Sequence, residues 1–180
     1  ARLSRGIWGE QPILIVFSDH GMVEEKGRID LSHLVRLHGF GDQFILVLDA
    51  TMVRVWYFVP ETRDRVRVAM EQIGHSQLLS DQRKIELGIG FKDDEYGDDI
   101  FLYEPGYVVF PNFYSYIRPR AMHAYDPEHP TQQGIFILHG CDGTPSCRGH
   151  ADVVDIMPTI LSILDVPAPR TCEGRSLIQN

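Results

Sequence analysis

The chain has 180 residues and a mass of 20.5 kDa, with 43% hydrophobic, 23% charged and 10% aromatic residues. This composition is typical of a globular domain and excludes a mainly disordered or fibrous chain. Its 17 Lys and Arg residues against 25 Asp and Glu residues give a net charge of −8, so binding to duplex nucleic acid is not expected. No apolar run reaches the ~20 residues that a membrane-spanning helix needs.

The cysteines and the N-terminus indicate the compartment. Cys141, Cys147 and Cys172 are odd in number and lack CxxC spacing, which favours reduced thiols in a cytoplasmic protein, with a Cys141–Cys147 loop closure as the alternative. No small-residue cleavage pattern follows the first apolar stretch, so no secretory signal is predicted. The first predicted strand begins close to Ala1, and we therefore expect the chain to be a fragment of a longer protein.

The first half of the chain alternates strand and helix patterns. Residues 13–17 form a continuous apolar run, typical of a strand buried on both faces in a parallel sheet. A short helix is predicted over residues 31–38, and extended runs fall within residues 44–59. Residues 61–73 form an amphipathic helix that Gly74 ends.

The middle of the chain continues with a short helix after Ser80, its predicted N-cap, and an acidic surface loop over residues 92–99. A hairpin is predicted over residues 100–110, because Pro105 and Gly106 separate two β-rich runs. Together, residues 44–117 form a compact α+β unit that we interpret as a cap-like insertion.

The insertion is flanked by residues 1–43 and 118–180, which we assign to an α/β core. In the second of these segments, residues 134–139 are a predicted strand. A helix is predicted from Asp155, its expected N-cap, to Val166, with Pro158 tolerated in the first turn.

Two sites carry residues that could bind a metal ion. Asp19 and His20 follow the first strand directly, and a turn at Gly21 could direct a carboxylate and an imidazole to one zinc-class ion. Taken alone, the triplet favours a turn-capping Asp and a packed His over a metal site. His123 lies on a loop before the strand at 134–139. The remaining loop histidines are expected at the surface or bonded to backbone: His33, His38, His75, His129 and His150.

Three segments resemble one family, in the family's order. Residues 16–22, Val-Phe-Ser-Asp-His-Gly-Met, resemble the hallmark segment of the type I phosphodiesterase/nucleotide pyrophosphatase branch of the alkaline phosphatase superfamily. Residues 122–127, Met-His-Ala-Tyr-Asp-Pro, resemble its later His-Gly-Tyr metal-ligand segment. Residues 154–177 are similar to its closing helix and the segment after it. The resemblance implies part of an alkaline-phosphatase-like, doubly wound α/β core with an inserted α+β cap.

The resemblance also implies a two-metal site that binds zinc, with manganese as the alternative. Asp19 and His20 correspond to ligands of the ion that activates the nucleophile, and His123 to a ligand of the second ion. Two such ions stabilise the attacking and leaving oxygens of a displacement at phosphorus. In this family a phosphorylated Thr or Ser forms on the way to hydrolysis of a small phosphate-ester substrate.

The chain departs from the family in its ligand set. The family's nucleophile, a metal-binding Asp and an Asp-x-x-x-His pair precede the Ser-Asp-His-Gly segment, and this sequence contains no Asp-x-x-x-His. Ala124 replaces the usual Gly, and Ser18 is expected to be a strand-end hydroxyl bonded to backbone. We therefore expect the C-terminal portion of a hydrolase that needs an upstream N-terminal half. A non-catalytic metal-binding or scaffold module and a phosphotransferase or mutase relative remain open alternatives.

Overall fold

The computed structural model describes residues 13–32, 42–140, 144–145 and 149–179. Most of the helix predicted over residues 31–38, with His33 and His38, lies outside them, and so do Cys141 and Cys147 of the alternative loop closure. No helix of the described part is long and apolar enough to cross a membrane.

The chain divides into two compact units. The first comprises residues 1–19 and 134–180, and the second comprises residues 20–133. Both limits expected for the insertion, 43/44 and 117/118, therefore lie inside the second unit. That residues 44–117 entered the fold as an insertion stays a prediction.

The second unit contains most of the regular structure. Its elements, in chain order, are β2 (Val23–Glu24), β3 (Gly27–Ile29), β4 (Phe44–Leu48), β5 (Met52–Tyr57), α1 (Arg63–Ile73), β6 (Ser76–Leu78), α2 (Asp81–Glu86), β7 (Asp99–Tyr103), β8 (Tyr107–Val109) and β9 (Ala121–Met122). The first unit holds β1 (Leu14–Phe17), β10 (Phe136–His139), β11 (Thr144–Pro145), α3 (Ile156–Ile163) and β12 (Ile178–Gln179).

The core of the second unit is an antiparallel sheet in the order β4-β5-β7-β6, with α1 packed on it. Val53 and Val55 alternate along β5 with partly exposed residues, as the two-residue period of a strand requires. Val66 and Met70, one helical turn apart on α1, are fully buried in the same cluster. The two extended runs and the amphipathic helix predicted here are thereby confirmed.

The ends of the two helices also match the sequence. The Ser80 Oγ accepts a hydrogen bond from the Arg83 N–H at 3.1 Å, so Ser80 is the N-cap of α2 as predicted. Gly74 ends α1 in the left-handed region, with a φ of 75°, and its N–H donates to the Met70 carbonyl.

An ion pair with a buried carboxylate joins α1 to β7. The Asp99 carboxylate, 3% exposed, accepts two bonds from Arg67, each 2.8 Å long, and one from the Tyr57 hydroxyl at 3.0 Å. Burial alone would raise the pKa of Asp99, but the hydrogen bonds from Arg67 and Tyr57 outweigh it and hold this pKa below its ordinary value of 3.8.

The hairpin predicted over residues 100–110 is wrong in its pairing. The turn exists, since the Tyr107 N–H donates to the Glu104 carbonyl at 3.0 Å. However, β7 pairs with β5 and β6, whereas β8 pairs in parallel with β3. The cause lies in the turn, because the Gly106 carbonyl accepts bonds from the N–H groups of Lys26 and Gly27, at 2.7 and 3.2 Å, and so aligns β8 with β3.

The expectation that β1 is buried on both faces in a parallel sheet is wrong. This strand pairs antiparallel with β10, Val16 lying opposite Ile137, and is not buried on both faces. Leu14, Val16 and Ile137 share one face of this ribbon and are 47%, 41% and 52% exposed. The continuous apolar run indicated two apolar faces correctly, but composition alone cannot give the direction of the partner strand.

Asp155 lies at the N-cap position of α3, as predicted, and its side chain closes a capping box with Asp152. A short 3₁₀ turn over Val153–Asp155 precedes α3, so Asp152 is the N-cap of the combined segment, and Asp155 bonds back to its N–H. Asp155 Oδ1 also accepts from the N–H of Arg175, which ties the tail to the helix. Pro158 lies in the first turn of α3, as predicted.

Candidate functional site

Two short strands of the second unit bring His20 and His123 together. β2 and β9 pair antiparallel, with Val23 opposite Met122. The chain after Met122 therefore runs back past the residues that precede Val23. This register places His123 beside His20, although about a hundred residues separate them in the sequence.

The two imidazole rings stack face to face. Their centroids are 3.7 Å apart and their planes differ by 9°. Both side chains are half-buried, and so they are accessible from one side. The sequence resemblance predicted that these two histidines converge, and the stack confirms that part of the prediction.

The turn after His20 fixes its ring. His20 Nδ1 lies 2.7 Å from the Gly21 carbonyl oxygen, which can only accept, so Nδ1 is the donor in this contact. A Cβ at Gly21 would lie 2.1 Å from the Thr131 carbonyl oxygen. Glycine is therefore required at this position by close packing of the backbone.

The turn after His123 is bound along its length. Ala124 has a φ of 67°, in the left-handed region, and its carbonyl accepts a 2.6 Å hydrogen bond from the Thr51 hydroxyl. The Tyr125 ring is 4% exposed, and its hydroxyl donates to the Tyr107 carbonyl at 3.2 Å. Burial raises the pKa of the Tyr125 phenol, which therefore stays protonated and able to donate.

Gln132 connects the two histidine segments. Its backbone carbonyl accepts from the Gly21 N–H at 2.9 Å, next to His20. Its side-chain Oε1 accepts from the Tyr125 N–H at 3.1 Å, two residues after His123. Gln132 itself is 9% exposed.

An ion-pair cluster holds the next stretch of this loop. The Arg83 guanidinium on α2 contacts Glu128 at 3.0 Å and Asp126 at 2.8 Å, and Glu86 at 3.3 Å. Hydrogen bonds from Arg83 to Glu128, Asp126 and Glu86 raise the pKa of Arg83, so its charge is permanent at any physiological pH. The cluster joins α2 to the loop that carries His123.

The remaining predicted site residues, Asp19 and Ser18, belong to the first unit, whereas the stack belongs to the second. Asp19 is exposed and is the last residue of the first unit, and its distance from His123 stays a prediction. The Ser18 hydroxyl accepts from the Ile135 N–H at 3.0 Å, which confirms the backbone role predicted for it. Within the described ranges, no three His, Cys, Asp or Glu side chains cluster closely enough to hold a metal ion together.

His75, His129 and His150 have the surface or backbone-linked places expected of them. His129 Nδ1 accepts from the Thr131 N–H at 3.3 Å and caps the short turn that follows. His75 is exposed and stacks on Tyr107, with centroids 3.7 Å apart. His139 and His150 are exposed.

Sequence reasoning missed Thr51 and Gln132 as parts of the site. Thr51 lies far from both histidines in the chain, and Gln132 lies outside the segments that resemble the family. A buried hydroxyl or amide also has no sequence motif of its own. The one available signal was Ala124 in place of Gly, because a non-glycine residue in a left-handed turn needs support from its surroundings.

Comparison with known proteins rests on structure, because the sequence matches no family profile and no curated protein. Human ectonucleotide pyrophosphatase/phosphodiesterase 5 superposes with a TM-score of 0.70 and 16% identity, over 99% of this chain and 48% of its own. Its murine counterpart superposes with a TM-score of 0.67 and 17% identity, and the match covers 99% of this chain and 48% of the murine chain. An inactive murine variant in complex with AMP superposes with a TM-score of 0.66 and 18% identity, and the match covers 98% of this chain and 48% of the variant's chain. This chain thus spans about half the length of these structures and has their alkaline-phosphatase-like α/β fold.

Proposed function

We propose that this chain is the C-terminal portion of a two-metal phosphoric ester hydrolase of the phosphodiesterase/nucleotide pyrophosphatase type. In the proposed enzyme, Asp19 and His20 bind one divalent ion and His123 binds the other, with zinc as the metal of choice. The Thr or Ser nucleophile belongs to an upstream half. The stack of His20 on His123 is the observation that carries the proposal.

The geometry of the stack favours two ions over one. A metal ion binds an imidazole nitrogen in the plane of the ring, about 2.0–2.1 Å from the nitrogen for zinc. Because the rings are nearly parallel and 3.7 Å apart, one ion cannot lie in both ring planes. Each ring would hold its own ion, and the ring separation of 3.7 Å is close to the ~3.5–4 Å between the metals of two-metal sites.

The donor chemistry fits such ions. The bond from His20 Nδ1–H to the Gly21 carbonyl is the kind of second contact that orients a metal-binding histidine. Neutral imidazole and carboxylate are both ligands of zinc and manganese. Catalytic zinc normally has three protein ligands, so the residues of this chain supply part of each set.

The apolar ribbon of β1 and β10 supports a larger parent fold. Leu14, Val16 and Ile137 expose 41–52% of their surface on one face. Such a face is expected to be covered in a complete core, and this chain spans only 48% of the similar structures. The bound AMP in one of them supports a small phosphate-ester molecule as the substrate class.

Each residue has a defined task in the proposal. The two ions, when bound, stabilise negative charge on the attacking and leaving oxygens at phosphorus. The hydrogen bond to the Gly21 carbonyl orients the His20 ring so that it binds its ion through Nε2. The bound turn at Ala124 keeps the His123 ring parallel to that of His20.

Zinc titration of the 180-residue chain tests the proposal. We expect weak, reversible binding, with a dissociation constant of about 1 µM or higher, because each ion lacks part of its ligand set. His20→Ala and His123→Ala should each weaken it about tenfold or more. His150→Ala, which removes an exposed histidine of the first unit, should leave it unchanged.

Two results would contradict the proposal. Zinc binding that survives both His20→Ala and His123→Ala would place the metal elsewhere. No detectable zinc or manganese binding by the unaltered chain would favour the alternative of a scaffold module without a metal function.

A further inference from the structure

We propose that Gln132 and Thr51 are positioning residues that hold the His123 ring parallel to His20. This role deepens the proposed two-ion site and rests on it for its consequence in catalysis. The geometric part, the maintenance of the ring stack, can be measured without any metal.

Gln132 bonds to both histidine segments at once. Its main-chain carbonyl fixes Gly21 and its side-chain Oε1 fixes the Tyr125 N–H, at 2.9 and 3.1 Å. Gln132 Nε2 donates to the Thr131 hydroxyl at 3.2 Å, which determines which end of the amide faces Tyr125. Removal of the side-chain oxygen would leave a buried N–H without an acceptor and would release one segment from the other.

Thr51 is a rigid donor to the turn itself. Its hydroxyl is buried and bonds to the Ala124 carbonyl at 2.6 Å. The backbone around it is fixed, because the Thr51 carbonyl accepts from Tyr103 at 2.9 Å and the Ala50 carbonyl accepts from Val109 at 2.8 Å. The sheet of the second unit therefore determines where the Ala124 carbonyl lies.

The left-handed turn makes this support necessary. Ala124 has a φ of 67°, a conformation that alanine adopts only where neighbouring contacts enforce it. His123 immediately precedes this residue, so relaxation of the turn would rotate its backbone and tilt its ring away from His20. The Thr51 and Gln132 bonds act on the two residues that follow His123 and oppose that relaxation.

The test uses NMR of the imidazole protons and zinc titration of the 180-residue chain. We expect ring-to-ring cross-peaks between His20 and His123 in the unaltered chain, because the centroids are 3.7 Å apart. Thr51→Val and Gln132→Met keep the size of each side chain and remove its polar contact. Both should weaken the cross-peaks several-fold and reduce zinc affinity about tenfold or more. Thr51→Ser keeps the hydroxyl and should keep the cross-peaks and the zinc affinity of the unaltered chain.

Thr62→Val is the matched control. The Thr62 hydroxyl is also buried and donates to a carbonyl, that of Val59, at the same 2.6 Å. Thr62→Val should lower the free energy of unfolding without changing the cross-peaks or the zinc affinity. Thr51→Val and Gln132→Met variants that fold and keep full cross-peaks would overturn the inference, as would equal losses in Thr62→Val. If the unaltered chain shows the cross-peaks but binds no metal, the proposed function fails while the cross-peak comparison still decides the positioning role.

Discussion

Replacing Ala124 with glycine should stabilise the second unit, an unusual outcome for this substitution. Ala124 lies in the left-handed region with a φ of 67°, and its methyl group is on an exposed residue. The substitution therefore removes backbone strain and little packing. It also creates the His-Gly-Tyr sequence of the family that these residues resemble.

The expected magnitude follows from two opposing effects. The left-handed conformation costs an L-residue about 1–2 kcal/mol, which glycine avoids. Glycine adds about 0.4–1 kcal/mol of conformational entropy to the unfolded chain. The difference is a gain of about 0.8 kcal/mol in the free energy of unfolding, or about 2 °C in Tm for a chain of this length.

Urea unfolding followed by tryptophan fluorescence measures this gain. A Trp8→Phe background leaves Trp56 as the sole tryptophan, and Trp56 lies in the same unit as Ala124. Ala69→Gly, inside α1, is the control and should lose about 1 kcal/mol, because glycine is unfavourable in a helix. Equal destabilisation by Ala124→Gly and Ala69→Gly would refute the left-handed turn and with it the support assigned to Thr51.

Other predictions concern the ion pair, the apolar ribbon and activity. Asp99→Asn should lower the free energy of unfolding by about 2 kcal/mol near neutral pH, because Arg67 keeps only a neutral partner. The pKa of Asp99 is lowered in the folded chain, so its stabilisation is full above about pH 4 and is lost as pH falls below the unfolded value of 3.8. As the pH falls below about 4, the free energy of unfolding of Asp99→Asn should therefore decrease less than that of the control Asp93→Asn, in which an exposed carboxylate is removed. Ile137→Lys should reduce dye binding to exposed apolar surface in this chain, because Ile137 is 52% exposed, and should change its stability little. The 180-residue chain should not hydrolyse p-nitrophenyl phosphate or its bis-ester with added zinc, and turnover lost in an Asp19→Ala/His20→Ala variant would contradict this.

Local patterns in the sequence predicted the helices and their caps well. Ser80 and Gly74 act at short range, through hydrogen bonds to residues three or four positions away, so their effect can be derived from spacing alone. The convergence of His20 and His123 followed from the resemblance, since no local pattern joins residues so far apart.

Strand pairing could not be derived in the same way. Pro105 and Gly106 predicted a turn correctly, but the partner of β8 depended on Lys26 and Gly27, which bind the Gly106 carbonyl from a distant part of the chain. The role of Gln132 was hidden for the same reason. Its side chain acts through a tertiary contact, and a single buried glutamine has no periodicity or motif that would predict one.

The central claim is that the stacked histidines serve a two-metal phosphodiester hydrolase, and zinc-dependent hydrolysis by the natural full-length polypeptide that contains these residues tests it most directly. With bis-p-nitrophenyl phosphate as the substrate, we expect zinc-dependent turnover that His20→Ala and His123→Ala each abolish and His150→Ala preserves. Turnover that persists in His123→Ala, or no zinc-dependent turnover in the full-length protein, would contradict the claim.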